Sequence, residues 1–346
     1  MLLFVAAMAA APCWAVAESK SLVFLNWSDY LDPGVEKEFE QTAGVQLKTI
    51  AYSNDYDRDR ILVETDAKGF DLGIVDGASL RLYARLGWID RLDVSRLPNL
   101  KHVDRRWRRA YAASEEFALP YFWGTTGIGY RPDLVGNPPA TWRDVVQPDQ
   151  TVCALKIMMT NDYVDLVGVG LLAAGFQYDS ADHLELRAAH HLLLRQKPCV
   201  YQYDNQNLNE NGTLVTGDVA LAMMDNGDFK ALHEIDPSIQ YVLPEDGALF
   251  WVDYLVVFSE SKNKDLAHQF IDFLNTPVVA ARNAEGLGYA PANRSALSHL
   301  PLSVLADPII FPSANDIDRR VMETELNSRA MRARSRIYAE VTGHPQ

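Results

Sequence analysis

In the first part of the chain, segments with a two-residue hydrophobic period alternate with segments that have a three-to-four-residue period. Positions 21–26 and 45–50 show the two-residue period of a half-buried strand, and 70–75 form the short apolar run of a buried strand. The segments between and after them have the three-to-four-residue spacing of helices: 35–42, 61–67 and 80–86. This order of strand and helix predicts an α/β fold built on an open sheet with right-handed crossovers.

A glycine-containing apolar segment, Trp123–Tyr130, separates this run of elements from a second one. Its three glycines and two threonines are typical of a strand to which other backbones approach closely. A chain of 346 residues exceeds the usual size of one hydrophobic core. We therefore expect two domains, with this strand as the crossover between them and the working site in the cleft beside it. The alternative is an ordinary core strand.

The second run has the same mixed pattern. Its periodicity predicts helices at 142–145, 164–174, 184–195 and 264–274. It predicts strands at 152–159, 219–224, 239–243 and 249–258. Residues 251–254 are expected to interrupt the last of these strands. The Arg-rich segment 319–336 is predicted to be helical.

The formal charge of −14 excludes one class of partner, because nucleic-acid phosphates would be repelled. The charge suits either a cationic ligand or plain solubility. His190 and His191 are adjacent and point to different faces of a predicted helix, with no carboxylate placed beside them, so we predict no metal site. The sequence has no phosphate-binding loop, nucleophile elbow or zinc pattern, and we predict no cofactor.

The first residues predict export. Positions 2–16 are apolar and too short to span a bilayer, and Ala15-Val16-Ala17 matches a signal-peptidase site. We therefore assign 1–17 to a signal peptide and expect a periplasmic protein. After cleavage, Cys153 and Cys199 remain, both in segments predicted to be strands. In an oxidising compartment they form either a disulfide or two buried thiols.

Aromatic and acidic residues recur where predicted strands end or break: Trp27 and Asp29, Asp162 and Asp165, Asp225 and Asp228, Trp251 and Asp253. In open α/β sheets, ligands bind beyond the carboxyl ends of the strands. Carboxylates accept charge-assisted hydrogen bonds from an organic ammonium, and aromatic faces attract it. These positions predict a site for an organic cation. For each residue alone, the alternative is a helix cap or a core side chain.

The sequence resembles the periplasmic spermidine/putrescine-binding proteins of ABC transporters over about residues 20–340. The matching segments are Asn26–Tyr30, Phe70–Leu72, Leu119–Tyr130, Pro244–Ala248, Lys262–Lys264 and Gly288-Tyr289. The resemblance implies a two-lobed α/β periplasmic-binding-protein fold, in which each lobe has a central sheet flanked by helices and crossing hinge strands join the lobes. It places lobe 1 at 18–127 plus 252–296 and lobe 2 at 128–251 plus 297–346.

The same resemblance implies a set of ligand-binding residues. Trp27, Ser28, Asp29 and Tyr30 would form the wall contributed by the first lobe. Carboxylates that hold ammonium groups would be Asp162, Asp165, Asp228 and Asp253. Trp251 and Tyr289 would supply the rings, and Glu323 would match a polar residue near the cleft.

The chain departs from the family pattern at two positions. Asp225 stands where the family usually has an aromatic ring, and Ala78 stands where it has Ser or Tyr. An added carboxylate raises like-charge repulsion unless a cation offsets it. We therefore favour a triamine such as spermidine or norspermidine, with putrescine as the smaller candidate. The alternatives are that Asp225 points to solvent, or that the specificity lies outside polyamines.

The resemblance implies a monomeric, non-enzymatic binding protein that passes a polyamine to an ABC permease. A second hypothesis is a sensor whose closed form signals to a membrane receptor. A third is a cleft hydrolase that uses paired carboxylates as acid and base. An anion- or metal-binding relative of the same architecture is also disfavoured: the acidic, aromatic cleft argues against anions, and the lack of a Tyr-Tyr pair or a His cluster argues against iron.

Overall fold

The computed structural model describes residues 20–343, so the predicted signal peptide at 1–17 lies outside the described residues. The first half of the chain forms strands β1 Ser21–Trp27, β2 Gln46–Tyr52, β3 Leu72–Asp76 and β4 Ala118–Tyr130. Its helices are α1 Pro33–Ala43, α2 Asp55–Thr65, α3 Leu80–Leu86, α4 Arg105–Arg108 and α5 Ser114–Phe117.

The second half adds strands β5 Ile157–Met159, β6 Val200–Tyr203, β7 Leu221–Asp225, β8 Gln240–Val242, β9 Ala248–Val257, β10 Ala290–Pro291 and β11 Arg320–Met322. Its first helices are α6 Trp142–Val146, α7 Gln150–Leu155, α8 Tyr163–Ala173, α9 His183–Gln196, α10 Thr213–Thr216 and α11 Asn226–Ile235. The remaining helices are α12 Lys264–Leu274, α13 Pro277–Leu287, α14 Leu302–Leu305, α15 Ala314–Asp318 and α16 Ser328–Thr342. Within residues 20–343, no helix is both long and apolar enough to cross a membrane.

The strands join in the order β2-β1-β3-β9-β4-β7-β5-β6, with β8 and β10 on β4 and β11 on β9. Strands β1, β2 and β3 are parallel to one another, and so are β5, β6 and β7. Strand β4 pairs antiparallel with β9 over Ala118–Thr126 and with β7 over Thr126–Tyr130. The glycine-containing segment is therefore the strand that links two parallel halves, and the prediction of an α/β fold is confirmed.

The close approach predicted for this strand is present at Gly124. A β-carbon there would lie 2.3 Å from the Trp251 ring and 2.5 Å from the Asn226 side-chain oxygen. Real β-carbons do not come so near, so only glycine leaves room for Trp251. Gly124 lies opposite Trp251 in the pairing of β4 with β9.

Two large apolar clusters flank the sheet. The first contains Phe24 and Phe270, and the second contains Trp142 and Leu193. In the last part of the chain, Ile310 packs in the first cluster, while Tyr338 and Val341 pack in the second. The predicted lobe boundaries remain a prediction.

Several predicted elements are wrong in type or extent. The strand at 152–159 is instead helix α7 followed by the short β5, because the Asp149 carboxylate caps the amide of Val152 (2.9 Å) and starts a helix. Strand β9 runs without a break, since Trp251 and Asp253 alternate with buried neighbours. The helix predicted at 319–336 is replaced at its start by β11, and α16 begins only after the Asn327 cap.

Cys153 and Cys199 are joined by a disulfide. The prediction that both lie in strands is wrong: Cys153 is in α7, and Cys199 ends a 3₁₀ turn before β6. The bond ties the α7 region to the far end of α9 across 46 residues of sequence.

We expect the double substitution Cys153→Ala and Cys199→Ala to lower the free energy of unfolding by about 2–4 kcal/mol, because an open loop of this length adds entropy to the unfolded chain. Urea unfolding of the oxidised wild-type protein and the variant measures the difference. Equal unfolding midpoints with equal slopes would contradict the expectation.

Candidate functional site

Five of the predicted acidic residues lie at the ends of sheet strands, at the starts of the helices that follow them, or within the central strand β9. They are Asp162, Asp165, Asp225, Asp228 and Asp253. Asp225 is the last residue of β7, and Asp253 lies within β9 opposite Asp76, the last residue of β3. Asp162 and Asp165 follow β5, and Asp228 lies in the first turn of α11. The sheet thus contributes acids to the candidate site from both of its parallel halves.

Asp225 does not point to bulk solvent. One of its carboxylate oxygens accepts hydrogen bonds from the Thr126 hydroxyl (2.5 Å) and the Trp251 indole N–H (3.2 Å). Thr126 is also the residue opposite Asp225 in the pairing of β4 with β7. The Asp225 side chain, at the position where the resemblance implies a ring, is therefore held against Trp251.

Aromatic rings line the cleft next to these acids. Tyr289 lies 5.3 Å from Trp251 and 5.4 Å from Tyr30, measured between ring centroids, both edge to face. Its hydroxyl donates to Asp228 at 3.4 Å. Trp27 lies 4.7 Å from Tyr52, between ring centroids, with the two rings tilted by 49°. The predicted rings Trp27, Tyr30, Trp251 and Tyr289 thus lie in aromatic contacts, and Tyr289 and Trp251 also contact the carboxylates.

Asp162 caps a helix. One of its carboxylate oxygens accepts from the amides of Val164 (2.7 Å) and Asp165 (2.9 Å) at the start of α8, so the helix-cap alternative is correct for this residue. Asp165 is fixed by the Tyr178 hydroxyl, which donates to it at 2.5 Å.

Ser28 and Asp29 lie in an exposed turn after β1. The Ser28 amide and hydroxyl both donate to the carbonyl of Tyr52, and Asp29 has a left-handed backbone with φ of 54°. Among the described residues, no hydrogen bond or ion pair links the Asp29 side chain to the buried acids. A ligand-binding role for Ser28 and Asp29 remains a prediction.

Sequence reasoning missed four charged residues of the site: Asp55, Arg58, Asp59 and Asp76. Arg58 is buried, and its guanidinium forms ion pairs with Asp55 (2.7 Å), Asp59 (3.1 Å) and Asp76 (2.8 Å). Asp76 carried the strand-end signal, because it directly follows the apolar run 70–75. The other three precede the helix predicted at 61–67, whereas the observed helix α2 already begins at Asp55.

Glu323 lies just after β11, within reach of this second acidic group. Carboxylate oxygens of Asp55, Asp76 and Glu323 all lie within 4.8 Å of one another, a spacing that suits a bound cation. Arg58 already pairs with Asp55 and Asp76. Within residues 20–343, no lysine or arginine pairs with Glu323.

Burial shifts the titration of these groups. It raises the pKa of Asp253, Asp225 and Asp162 to about 7, and that of Asp165 and Asp228 to about 6. Repulsion between neighbours adds to the rise in pKa: Asp165 acts on Asp162, and Asp228 acts on Asp225. Hydrogen bonds from Thr126 and Trp251 oppose the rise in the pKa of Asp225.

The pKa of Glu323 is raised well above its usual range, first by burial and then by repulsion from Asp76 and Asp55. For Arg58, burial alone would lower the pKa, but attraction to Asp55 and its other acidic neighbours outweighs burial and raises it. Carboxylates therefore outnumber the cations among these residues: Arg58 is paired with three acids, and the positive charge of Arg334 acts on Asp165 to lower its pKa. Chemically, such a site favours a ligand that brings positive charge and apolar surface together.

The family of bacterial extracellular solute-binding proteins matches residues 35–312. The spermidine/putrescine-binding periplasmic protein of Escherichia coli (strain K12) is 27% identical over 325 residues, covering 93% of this chain and 90% of the relative. The norspermidine sensor of Vibrio cholerae is 28% identical, covering 95% and 90%.

Among solved structures, a putative spermidine/putrescine ABC transporter protein from Listeria monocytogenes superposes with a TM-score of 0.84. It is 26% identical, and the match covers 93% of this chain and 99% of that one. The two-lobed binding-protein architecture implied by the resemblance is thereby confirmed.

We expect the free protein to lose thermal stability as the pH rises from about 5.5 to 8. The carboxyl groups have pKa values near 6–7 when folded and near 4 when unfolded, so the folded chain holds more protons in this window. The stabilisation is complete below the unfolded pKa and is lost as the pH passes the folded pKa. Scanning calorimetry should give a Tm lower by roughly 2 °C or more at pH 8.

The double variant Asp225→Asn and Asp253→Asn serves as the control for this pH dependence. It removes two of the shifted groups, and we expect its Tm to change less with pH. A wild-type Tm that is flat or rises over the window would contradict the assignment of these carboxyl groups.

Proposed function

The chain belongs to the family of bacterial extracellular solute-binding proteins, and we propose that it binds a polyamine between its two lobes and delivers it to a membrane permease. Members of this family bind solutes and are not enzymes, so we propose no catalytic role for the cleft. The proposal includes export to the periplasm and a monomeric chain. The mature protein would act outside the inner membrane, where free polyamines are collected.

One observation carries the proposal: six carboxylates of the candidate site form no ion pair within the described part of the chain. They are Asp162, Asp165, Asp225, Asp228, Asp253 and Glu323. A carboxylate held without a counter-charge in partly buried surroundings is unfavourable, and an ammonium group removes that cost.

The ring wall suits the rest of such a ligand. Trp251 and Tyr289 meet edge to face beside Asp225 and Asp228. An ammonium over a ring contributes about 0.5–2 kcal/mol, and each buried methylene adds about 0.8 kcal/mol. A flexible aliphatic amine would satisfy both kinds of contact at once. The printed names of the E. coli and V. cholerae relatives, one for spermidine and putrescine and one for norspermidine, support the same ligand class.

Within polyamines we propose a triamine. Asp225 is held inside the cleft by Thr126 and Trp251, so it adds charge where the family pattern has a ring. A diamine brings two charges to a site with six unpaired carboxylates, and protons must neutralise the remainder. A triamine leaves fewer protons to be taken up.

A sensor function is the second candidate, because the norspermidine sensor covers as much of the chain as the transport-type relatives do. Transport and sensing differ in the membrane partner that recognises the closed protein. Pull-down of membrane proteins from the source organism with ligand-loaded protein separates them: a permease supports transport, and a receptor supports sensing.

We expect Asp253→Asn and Trp251→Ala each to weaken triamine binding by about tenfold or more, because each removes one charged or ring contact. Isothermal titration calorimetry with spermidine and norspermidine measures the change. Glu210→Gln is the matched control, since Glu210 is exposed and outside the cleft. Wild-type affinity in both cleft variants would place the ligand elsewhere.

Asp225→Asn tests the preference for a triamine. The amide oxygen keeps the acceptor for Thr126 and Trp251 but loses the charge, so we expect triamine affinity to fall about fivefold or more relative to putrescine affinity. Titrations with spermidine and putrescine on the same preparation give the ratio. An unchanged ratio would refute a role for Asp225 in ligand choice.

A further inference from the structure

Arg58 is a fully buried cation at one end of the cleft. Its side chain is 1% exposed, and its guanidinium contacts Asp55, Asp59 and Asp76 at 2.7–3.1 Å. It also donates to the Tyr83 hydroxyl (2.9 Å) and the Ser79 hydroxyl (3.1 Å). These five partners fix the guanidinium in one place, because its planar fork leaves little freedom when each arm is engaged.

The guanidinium of Arg58 lies beside a group of carboxylates that is spaced to hold a cation, which we call the cation position. Oxygens of Asp55, Asp76 and Glu323 lie within 4.8 Å of one another, and the guanidinium forms ion pairs with two of these three acids. Glu323 is left without an ion pair among the described residues, on the side of the remaining unpaired carboxylates. The acids of the site are thus divided into a group that shares the one charge of Arg58 and a group that forms no ion pair with the chain.

A cavity of about 340 Å³ lies beside this position. Asp59, Ala78, Ser79 and Glu323 are among the residues that line it. Asp59 and Ser79 are themselves partners of Arg58, which lies behind them. The cavity offers room for a further aminoalkyl arm, but the cation position behind its wall is already filled by Arg58.

We infer that Arg58 is a specificity-determining residue that acts as a built-in cation and limits how many ammonium groups a ligand can place in the cleft. The inference rests on the proposed polyamine function and deepens it. A triamine would extend from Asp228 and Asp253 towards Glu323 and end there. A tetraamine would have to place its fourth charge beside the guanidinium, where like charges repel.

The first test replaces Arg58 and measures selectivity rather than affinity alone. Calorimetric Kd values for spermidine, a triamine, and spermine, a tetraamine, are determined for the wild-type protein, Arg58→Gln and Arg58→Lys. We expect Arg58→Gln to raise the ratio of tetraamine to triamine affinity at least tenfold, and Arg58→Lys to keep the wild-type ratio. A role in folding alone would change the Tm of Arg58→Gln but leave the ratio unchanged, and an unchanged ratio in the folded variant overturns the inference.

A second pair of variants does not depend on removing the arginine. Asp76→Asn changes an acid that already forms an ion pair with Arg58, whereas Glu323→Gln changes an acid that forms no ion pair among the described residues. We expect Glu323→Gln to weaken spermidine binding about tenfold and Asp76→Asn to change it less than threefold. Equal losses in the two variants overturn the inference.

The proposed function and this inference fail in different ways. A folded wild-type protein that binds neither amine overturns both. A wild-type protein that binds spermidine, with neither pair of variants behaving as expected, overturns only the role of Arg58.

Discussion

Repulsion between partly buried carboxylates is the interaction on which the site depends. Each acid is held by neutral donors: Asp225 by Thr126 and Trp251, Asp165 by Tyr178, and Asp162 by backbone amides at the start of α8. Neutral donors fix the direction of a carboxylate but supply no compensating charge. The free protein therefore relieves the repulsion with protons, and a cationic ligand replaces those protons. Ligand binding and protonation compete for the same groups.

The sheet accounts for the convergence of these acids. Strand β4 pairs with β9 in its first part and with β7 in its second, so side chains on β7 and β9 come together around Thr126. Gly124 lets the Trp251 ring lie over the backbone of β4, which places the indole N–H on Asp225. The same crossover that joins the two parallel halves of the sheet thus orients the central ring and acid of the site.

Sequence reasoning found the parts of the candidate site that have a local signal. An acid at the end of a strand is visible in the sequence, and this signal located Asp225. Trp251 and Asp253 were reached through a predicted strand break that β9 does not have. The strand-end rule would also have found Asp76, had it been applied to the residue after the third strand. Arg58 has no such signal: Asp55 and Asp59 are its neighbours on α2, but Asp76 reaches the guanidinium only after α2 packs near the end of β3. Helix α7 was missed for a similar reason: its apolar run resembles a strand, and a single capping side chain, Asp149, decides the outcome.

Asp225, at a position where the resemblance implies an aromatic ring, changes more than one contact of the candidate site. A ring at this position would add apolar surface and a face for an ammonium, while the carboxylate adds a charge and accepts from Trp251. Because the indole N–H donates a hydrogen bond to Asp225, the carboxylate fixes the orientation of Trp251. On the side of Glu323, the single positive charge of Arg58 is shared by three acids, Asp55, Asp59 and Asp76. The carboxylates that form no ion pair therefore extend from Asp225 to Glu323. This distribution favours a ligand whose ammonium groups are spread along its length.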